Sequence, residues 1–176
     1  MNVLLMGPRA CGKTTVGRLL AQRLNVAFVD LDSRTLDALG KPSVQQAWDD
    51  LGEQAWRDAE RATLGLVLRG KNQVIALGGG TPIIKEAHHA IASAQREGTA
   101  QTVYLKCSEG TLAARLAAQP GDRPSLTGSA VHDEIRSNLA AREPTYRELA
   151  DFIVLTDGLS PDEAVTELER LLAPPR

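Results

Sequence analysis

The sequence predicts an α/β protein built on a parallel sheet. Two observations carry that expectation. Short apolar runs suited to buried strands recur along the 176 residues, and helical patterns separate each run from the next, as in βαβ units. The first run, Val3-Leu4-Leu5-Met6, leads into Gly7-Pro8-Arg9-Ala10-Cys11-Gly12-Lys13-Thr14, and a helical pattern follows at Val16, Leu19, Leu20 and Leu24. Strand, glycine-rich loop, lysine, hydroxyl and helix form the setting in which G-x-x-x-x-G-K-[ST] binds phosphate.

Taken in order, strands are expected at 2–6, 27–30, 74–77, 102–105 and 152–155. Helices are expected at about 13–24, 33–39, 43–50, 53–69, 84–97, 109–118, 131–149 and 161–172. Ser43 reads as an N-cap, and Ser160-Pro161 as an N-cap with proline in the first turn. Gly40, Gly70 and Gly98 read as helix stops. Pro144, in Arg142-Glu143-Pro144-Thr145-Tyr146, removes a backbone donor and disfavours helix at Glu143, so a kink or break is expected there.

Composition narrows the function classes. Apolar residues at 43% and charged residues at 24% suit one globular domain. A formal charge of −2 offers no general attraction to nucleic acid or an anionic membrane. No run reaches membrane-spanning length and no cleavable leader is visible. Two cysteines, Cys11 and Cys107, are no disulfide framework, so a reducing cytoplasm is the expected setting.

In an open α/β sheet, ligands sit beyond the carboxyl ends of the strands. There the phosphate loop would present backbone N–H groups at a helix N-terminus, a site that favours anions. Lys13 would reach the β- and γ-phosphates and Thr14 would put its hydroxyl on Mg²⁺. The second strand ends in Asp30-Leu31-Asp32, whose i, i+2 carboxylates leave an extended backbone on one side. Asp30 suits the metal, and Asp32 lies one step further out, where it could orient an acceptor hydroxyl or take its proton. The plain alternative is that one or both cap the next helix. Gly78-Gly79-Gly80 end the third strand, as either a close backbone approach to ligand or a tight turn.

Arg57 has Glu60 three residues on, the usual arrangement of a surface pair. Arg142, beside the expected break, could aim into a cleft or lie solvated. Residues 119–129, QPGDRPSLTGS, form the longest aperiodic stretch and read as a loop or lid carrying one arginine, Arg123. His88, His89 and His132 lack metal-ligand spacing. Two D-x-x-G matches, at Asp37 and Asp49, fall in helical patterns, and no N-K-x-D accompanies them, so a GTPase is rejected.

With these residues in place, the chain resembles the shikimate kinases over nearly its whole length. The segments that carry the resemblance are GPRACGKTTVGRLLA, FVDLD, WRDAE, ALGGG, RPSLTG and AREPTYRELA, in the family's order and spacing. The resemblance implies a three-layer P-loop kinase fold, a five-stranded parallel sheet in order 2-3-1-4-5 with helices on both faces and a mobile lid. It implies one domain over residues 1–176, with the lid at about 119–129 and a shikimate-binding helical region at about 31–60. It implies transfer of phosphate from ATP to the 3-hydroxyl of shikimate, in the cytoplasm, by a monomer with no nucleic-acid or membrane partner. ATP would lie on Gly7, Ala10, Cys11, Gly12, Lys13, Thr14 and Thr15, with Arg115 and Leu159 on the two sides of the adenine and Arg123 on the phosphates. Mg²⁺ would be held by Thr14 and, through water, by Asp30. Arg57 and Arg142 would clamp the shikimate carboxylate, while Asp32 and Gly78, Gly79 and Gly80 would meet its ring. Lys13, Asp32 and Arg123 would be the catalytic set. One departure stands out: Ala10 occupies a position where the family usually has glycine. The alternatives are a kinase of another hydroxy acid such as gluconate, and a non-catalytic nucleotide-binding module.

Overall fold

The computed structural model describes residues 1–118 and 131–173. Its sheet has five parallel strands, β1 (Asn2–Met6), β2 (Ala27–Asp30), β3 (Gln73–Ala76), β4 (Ala100–Lys106) and β5 (Phe152–Leu155). Their spatial order is β2-β3-β1-β4-β5. The helices are α1 (Lys13–Leu24), α2 (Leu31–Leu39), α3 (Val44–Val67), α4 (Lys85–Arg96), α5 (Glu109–Ala118), α6 (Val131–Leu149) and α7 (Pro161–Leu172).

The central strand β1 is buried along its whole length, and its side chains alternate between two cores. Val3 and Leu5 pack with Val16 and Leu20 of α1, Leu112 of α5 and Val165 and Leu168 of α7. Leu4 and Met6 pack on the other face with Leu64 of α3, Ile91 of α4 and Tyr146 of α6. The sheet therefore carries helices on both faces. A third, smaller cluster joins α2 to α3, with Leu36 and Leu39 packed on Val44, Ala47 and Trp56.

Three local expectations change. The segments expected at 43–50 and 53–69 abut within α3, which is broken only at Gly52, where φ is 84° and ψ is 160°. No linker separates them, because one glycine outside the helical region turns the chain by itself.

Second, α2 begins at Leu31 rather than 33, because Asp30 caps it by accepting from the Ser33 N–H at 3.2 Å. Asp32 is thus in the first turn of a helix, so the two acids are not aligned by strand pleating. Third, α6 runs through Pro144 with no break. Pro144 and Ala140, whose carbonyl loses its partner, are both exposed, so water can satisfy the orphaned group. Ile135 and Leu139 before the proline, and Tyr146 and Leu149 after it, are buried and hold the helix from both ends.

Candidate active site

The ends of β1, β2, β3 and β5 build the site together with α1, α2, α3, α5 and α6. The turn after β1 runs through Gly7, at φ 147°, to Gly12, which caps α1 at φ 104° without any side-chain cap. No acidic residue lies in the first turn of α1, so the helix presents its N-terminal donors to the cleft. Lys13 folds across its own loop, donating from Nζ to the carbonyls of Gly7 at 3.0 Å and Pro8 at 2.8 Å. Thr14 donates its hydroxyl to Asp30 Oδ2 at 2.8 Å. Asp30 therefore does two jobs, capping α2 with one oxygen and facing the loop hydroxyl with the other.

Arg115, on α5, reaches the outer side of the same loop. Its Nη1 donates to the carbonyls of Ala10 at 3.3 Å and Cys11 at 3.2 Å, and its Nη2 to that of Thr156 at 3.4 Å. The guanidinium thus ties the phosphate loop to the end of β5. Beside it, burial pushes the Cys107 thiol above its ordinary pKa. Just beyond β5, hydrogen bonds from Thr111 and Ser108 hold the Asp157 carboxyl below the ordinary range.

The glycine turn after β3 is the other wall, closed by a Thr81 N–H bond to the Gly78 carbonyl at 3.1 Å. Gly78 and Gly80 each have a side chain where a Cβ would stand, and Gly79 lies in ordinary contact with its neighbours. A Cβ on Gly78 would lie 2.3 Å from Glu60 Oε1 and 2.7 Å from Asp32 Oδ1. One on Gly80 would lie 2.7 Å from Arg57 Nη1, and one on Gly79 would lie 3.6 Å from Arg142 Nη1 and 3.5 Å from the Gly7 carbonyl. At Gly78 and Gly80 glycine is needed for this close approach. Asp32, Arg57 and Arg142, from α2, α3 and α6, thus converge on one turn that touches the phosphate loop.

Arg57 is not the surface residue its spacing suggests. Its Nη1 donates to Glu60 at 2.9 Å, and Glu60 is fully buried, with its other oxygen accepting from the Thr81 hydroxyl. Nη2 meets Glu53 at 3.1 Å, and the guanidinium lies 5.5 Å from the centre of the Trp48 ring. Glu60 and Tyr146 are the residues that sequence reasoning missed. Glu60 had a readable signal: Trp56, Glu60, Thr63 and Leu64 share the buried stripe of α3. Tyr146, buried on α6, donates its hydroxyl to the Gly79 carbonyl, and nothing local marks that pairing.

A cleft of about 560 Å³ runs along this edge. Its lining includes Ala10, Cys11, Gly12, Lys13, Thr14 and Thr15 of the loop region, with Asp30, Asp32, Gly79, Arg115 and Leu159. Gly7, Gly78, Gly80, Arg57 and Arg142 stand beside that lining. Arg123 and the stretch 119–129 lie outside the described residues.

The family model for shikimate kinase matches residues 9–173. A shikimate kinase of Rhodopirellula baltica is 41% identical over 170 residues, covering 95% of this chain and 88% of that protein. Among solved structures, the shikimate kinase from Acinetobacter baumannii in complex with shikimate superposes with a TM-score of 0.86 at 28% identity, covering 97% of this chain and 92% of that one. The shikimate kinase from Bacteroides thetaiotaomicron superposes at 0.85 with 32% identity, over 98% of both chains.

Proposed function

The chain belongs to the shikimate kinase family, and we propose that it transfers the γ-phosphoryl group of ATP to the 3-hydroxyl of shikimate. The observation that carries this reading is the meeting of an anion-binding loop with Asp32, the Glu60-paired Arg57 and Arg142 at Gly78–Gly80. A phosphate donor fits the loop, and an acceptor bearing both a hydroxyl and a carboxylate fits the turn.

The loop N–H groups bind the phosphates, and Lys13 leaves the Gly7 and Pro8 carbonyls for the β- and γ-phosphate oxygens. Thr14 and Asp30 are a hydroxyl and a carboxylate held 2.8 Å apart. Such a pair would hold Mg²⁺, a hard cation that takes oxygen ligands, with Asp30 reaching it through water. When bound there, Mg²⁺ neutralises charge developing on the phosphates. Asp32 orients the acceptor hydroxyl and takes its proton as the new P–O bond forms and the bond to ADP breaks. Arg57 and Arg142 grip the carboxylate, each able to donate two parallel N–H bonds. Arg115 and Leu159 flank the adenine, and Arg123 supplies a further positive charge to the transferring group. The enzyme is a single-domain monomer of the cytoplasm, with residues 119–129 as its lid and 31–60 as its shikimate-binding region. It takes no nucleic-acid or membrane partner, and among the described residues no helix is long and apolar enough to cross a membrane.

The test is ADP release with Mg²⁺ and either shikimate, gluconate or AMP as acceptor. Rapid release is expected only with shikimate. Asp32→Asn is expected to lower turnover by roughly 10²-fold, the scale of general acid–base assistance, while ATP binding holds. Equal release with gluconate, or none above background with shikimate, sinks the assignment.

A further inference from the structure

We propose that Tyr146 is a positioning residue of the acceptor pocket, setting where the glycine turn and Arg142 stand relative to the phosphate loop. The inference rests on the shikimate kinase reading and adds to it a residue that touches neither reactant.

Tyr146 is fully buried, and its hydroxyl donates to the Gly79 carbonyl across 67 residues of sequence. Gly79 is the junction of the site. A Cβ there would lie 3.5 Å from the Gly7 carbonyl, 3.6 Å from the Arg9 nitrogen and 3.6 Å from Arg142 Nη1. Whatever fixes the Gly79 peptide therefore fixes the spacing between the donor side and the acceptor side. Because the peptide is planar and trans, anchoring the carbonyl also sends the Gly80 N–H the opposite way, away from the tyrosine.

The anchor itself is held firmly. The Tyr146 ring packs on Tyr104, with centroids 5.2 Å apart and planes at 43°. Tyr104 is fully buried on β4 and sits in register with Met6, the residue that enters the phosphate loop. A second tie holds the same helix to the same strand: Lys106 Nζ meets Glu143 at 2.9 Å.

Arg142 precedes Tyr146 by four residues on α6, so both leave one face of the helix. The hydroxyl bond thus sets the height at which Arg142 is presented to the turn. A hydrogen bond to a carbonyl in a flexible glycine turn orders a segment whose own side chains cannot order it.

The experiment measures kcat and the two KM values for the parent, Tyr146→Phe, Arg142→Ala, the double variant and Tyr104→Phe. Tyr146→Phe is expected to raise the shikimate KM roughly three- to tenfold, the scale of one lost buried hydrogen bond, with the ATP KM unchanged. The double variant is expected to match Arg142→Ala alone, because the tyrosine acts through the arginine's placement. Tyr104→Phe alters the ring pair but removes a hydroxyl with no hydrogen-bond partner among the described residues, and it should leave both KM values in place.

Tyr104→Phe also leaves Tyr146 as the chain's only tyrosine. With 3-fluorotyrosine incorporated, its single fluorine resonance is expected to move on saturation with shikimate, a readout that stands even if Tyr146→Phe does not fold. An unchanged shikimate KM, a parallel rise of both KM values, or a fluorine resonance indifferent to shikimate overturns the positioning role. A parent chain that releases no ADP with shikimate overturns the functional reading instead.

Discussion

Ala10 is the residue at which the phosphate loop departs from its ordinary chemistry. Its φ of 64° lies in the left-handed region, where a Cβ crowds the following carbonyl. Such a conformation costs an L-residue about 1 kcal/mol or somewhat more. Arg115 offsets part of that cost by accepting the strained loop as it is, with its Nη1 on the carbonyls of Ala10 and Cys11. Glycine at this position would relieve the crowding, although it loses more backbone entropy on folding. Ala10→Gly is therefore expected to raise the melting temperature by roughly 2–4 °C, the shift that about 1 kcal/mol produces in a chain of this size. Thermal denaturation followed by circular dichroism checks it. A glycine variant no more stable than the parent would mean the loop has already relaxed around the alanine.

Among the elements, α6 links most of the site together. Its first half packs into one core through Ile135 and Leu139, and its second half into the other through Tyr146 and Leu149. Between them, Glu143 accepts from Lys106 of β4 and from Arg147 of its own helix, at 2.9 and 2.8 Å. Those bonds, Lys106 first, hold the Glu143 carboxyl below its ordinary value. The sign follows from the direction of that shift. A depressed carboxyl stabilises the fold fully above its unfolded pKa of 4.5 and loses that contribution as pH falls through the lower folded value. Both partners are partly exposed, so solvent screening limits the pair to about 1 kcal/mol or less. Glu143→Gln should thus be less stable than the parent at pH 7, with the gap closing as the pH is lowered below the carboxylate range. Urea denaturation at neutral and acidic pH measures the two gaps. A gap independent of pH would assign the effect to packing and not to charge.

At the scale of the molecule, nucleotide and acceptor lie, in the proposed reading, on opposite sides of one cleft, served by different elements. In that reading the loop, α1 and α5 would serve the phosphates, while α2, α3 and α6 would serve the acceptor through the glycine turn. Anything that binds the folded chain stabilises it, by about 2.7 kcal/mol at a hundred times its dissociation constant. Saturating ATP with Mg²⁺, and saturating shikimate, are each expected to raise the melting temperature of the parent. Arg57→Ala should lose most of the shikimate-induced rise and keep the nucleotide-induced one, since Arg57 stands on Gly80 and does not line the cleft with the phosphate loop. Differential scanning fluorimetry separates the cases. A variant that still responds fully to shikimate would return Arg57 to a structural partner of Glu60.

What could be known from the sequence was local. Strand and helix periods, the caps at Ser43 and Ser160, and the glycine loop before α1 depend on neighbours a few residues away, and these elements lie close to where the pattern put them. The motif set also sufficed to name the family, because the acid, glycine and arginine segments accompany the phosphate loop in the family's order and spacing. Other features waited for the tertiary structure. Spacing offered Arg57 a surface pair with Glu60, but packing buries Glu60 under Thr81 and turns the arginine toward Gly80. Local rules broke α6 at Pro144, yet four buried side chains hold it, and each is worth roughly 1.5–3 kcal/mol against a proline cost of about 3. The Tyr146 bond to Gly79 spans 67 residues and has no local signature. Periodicity records which face of an element is apolar, whereas a site is made of contacts between elements, and only the packed sheet decides which residues meet.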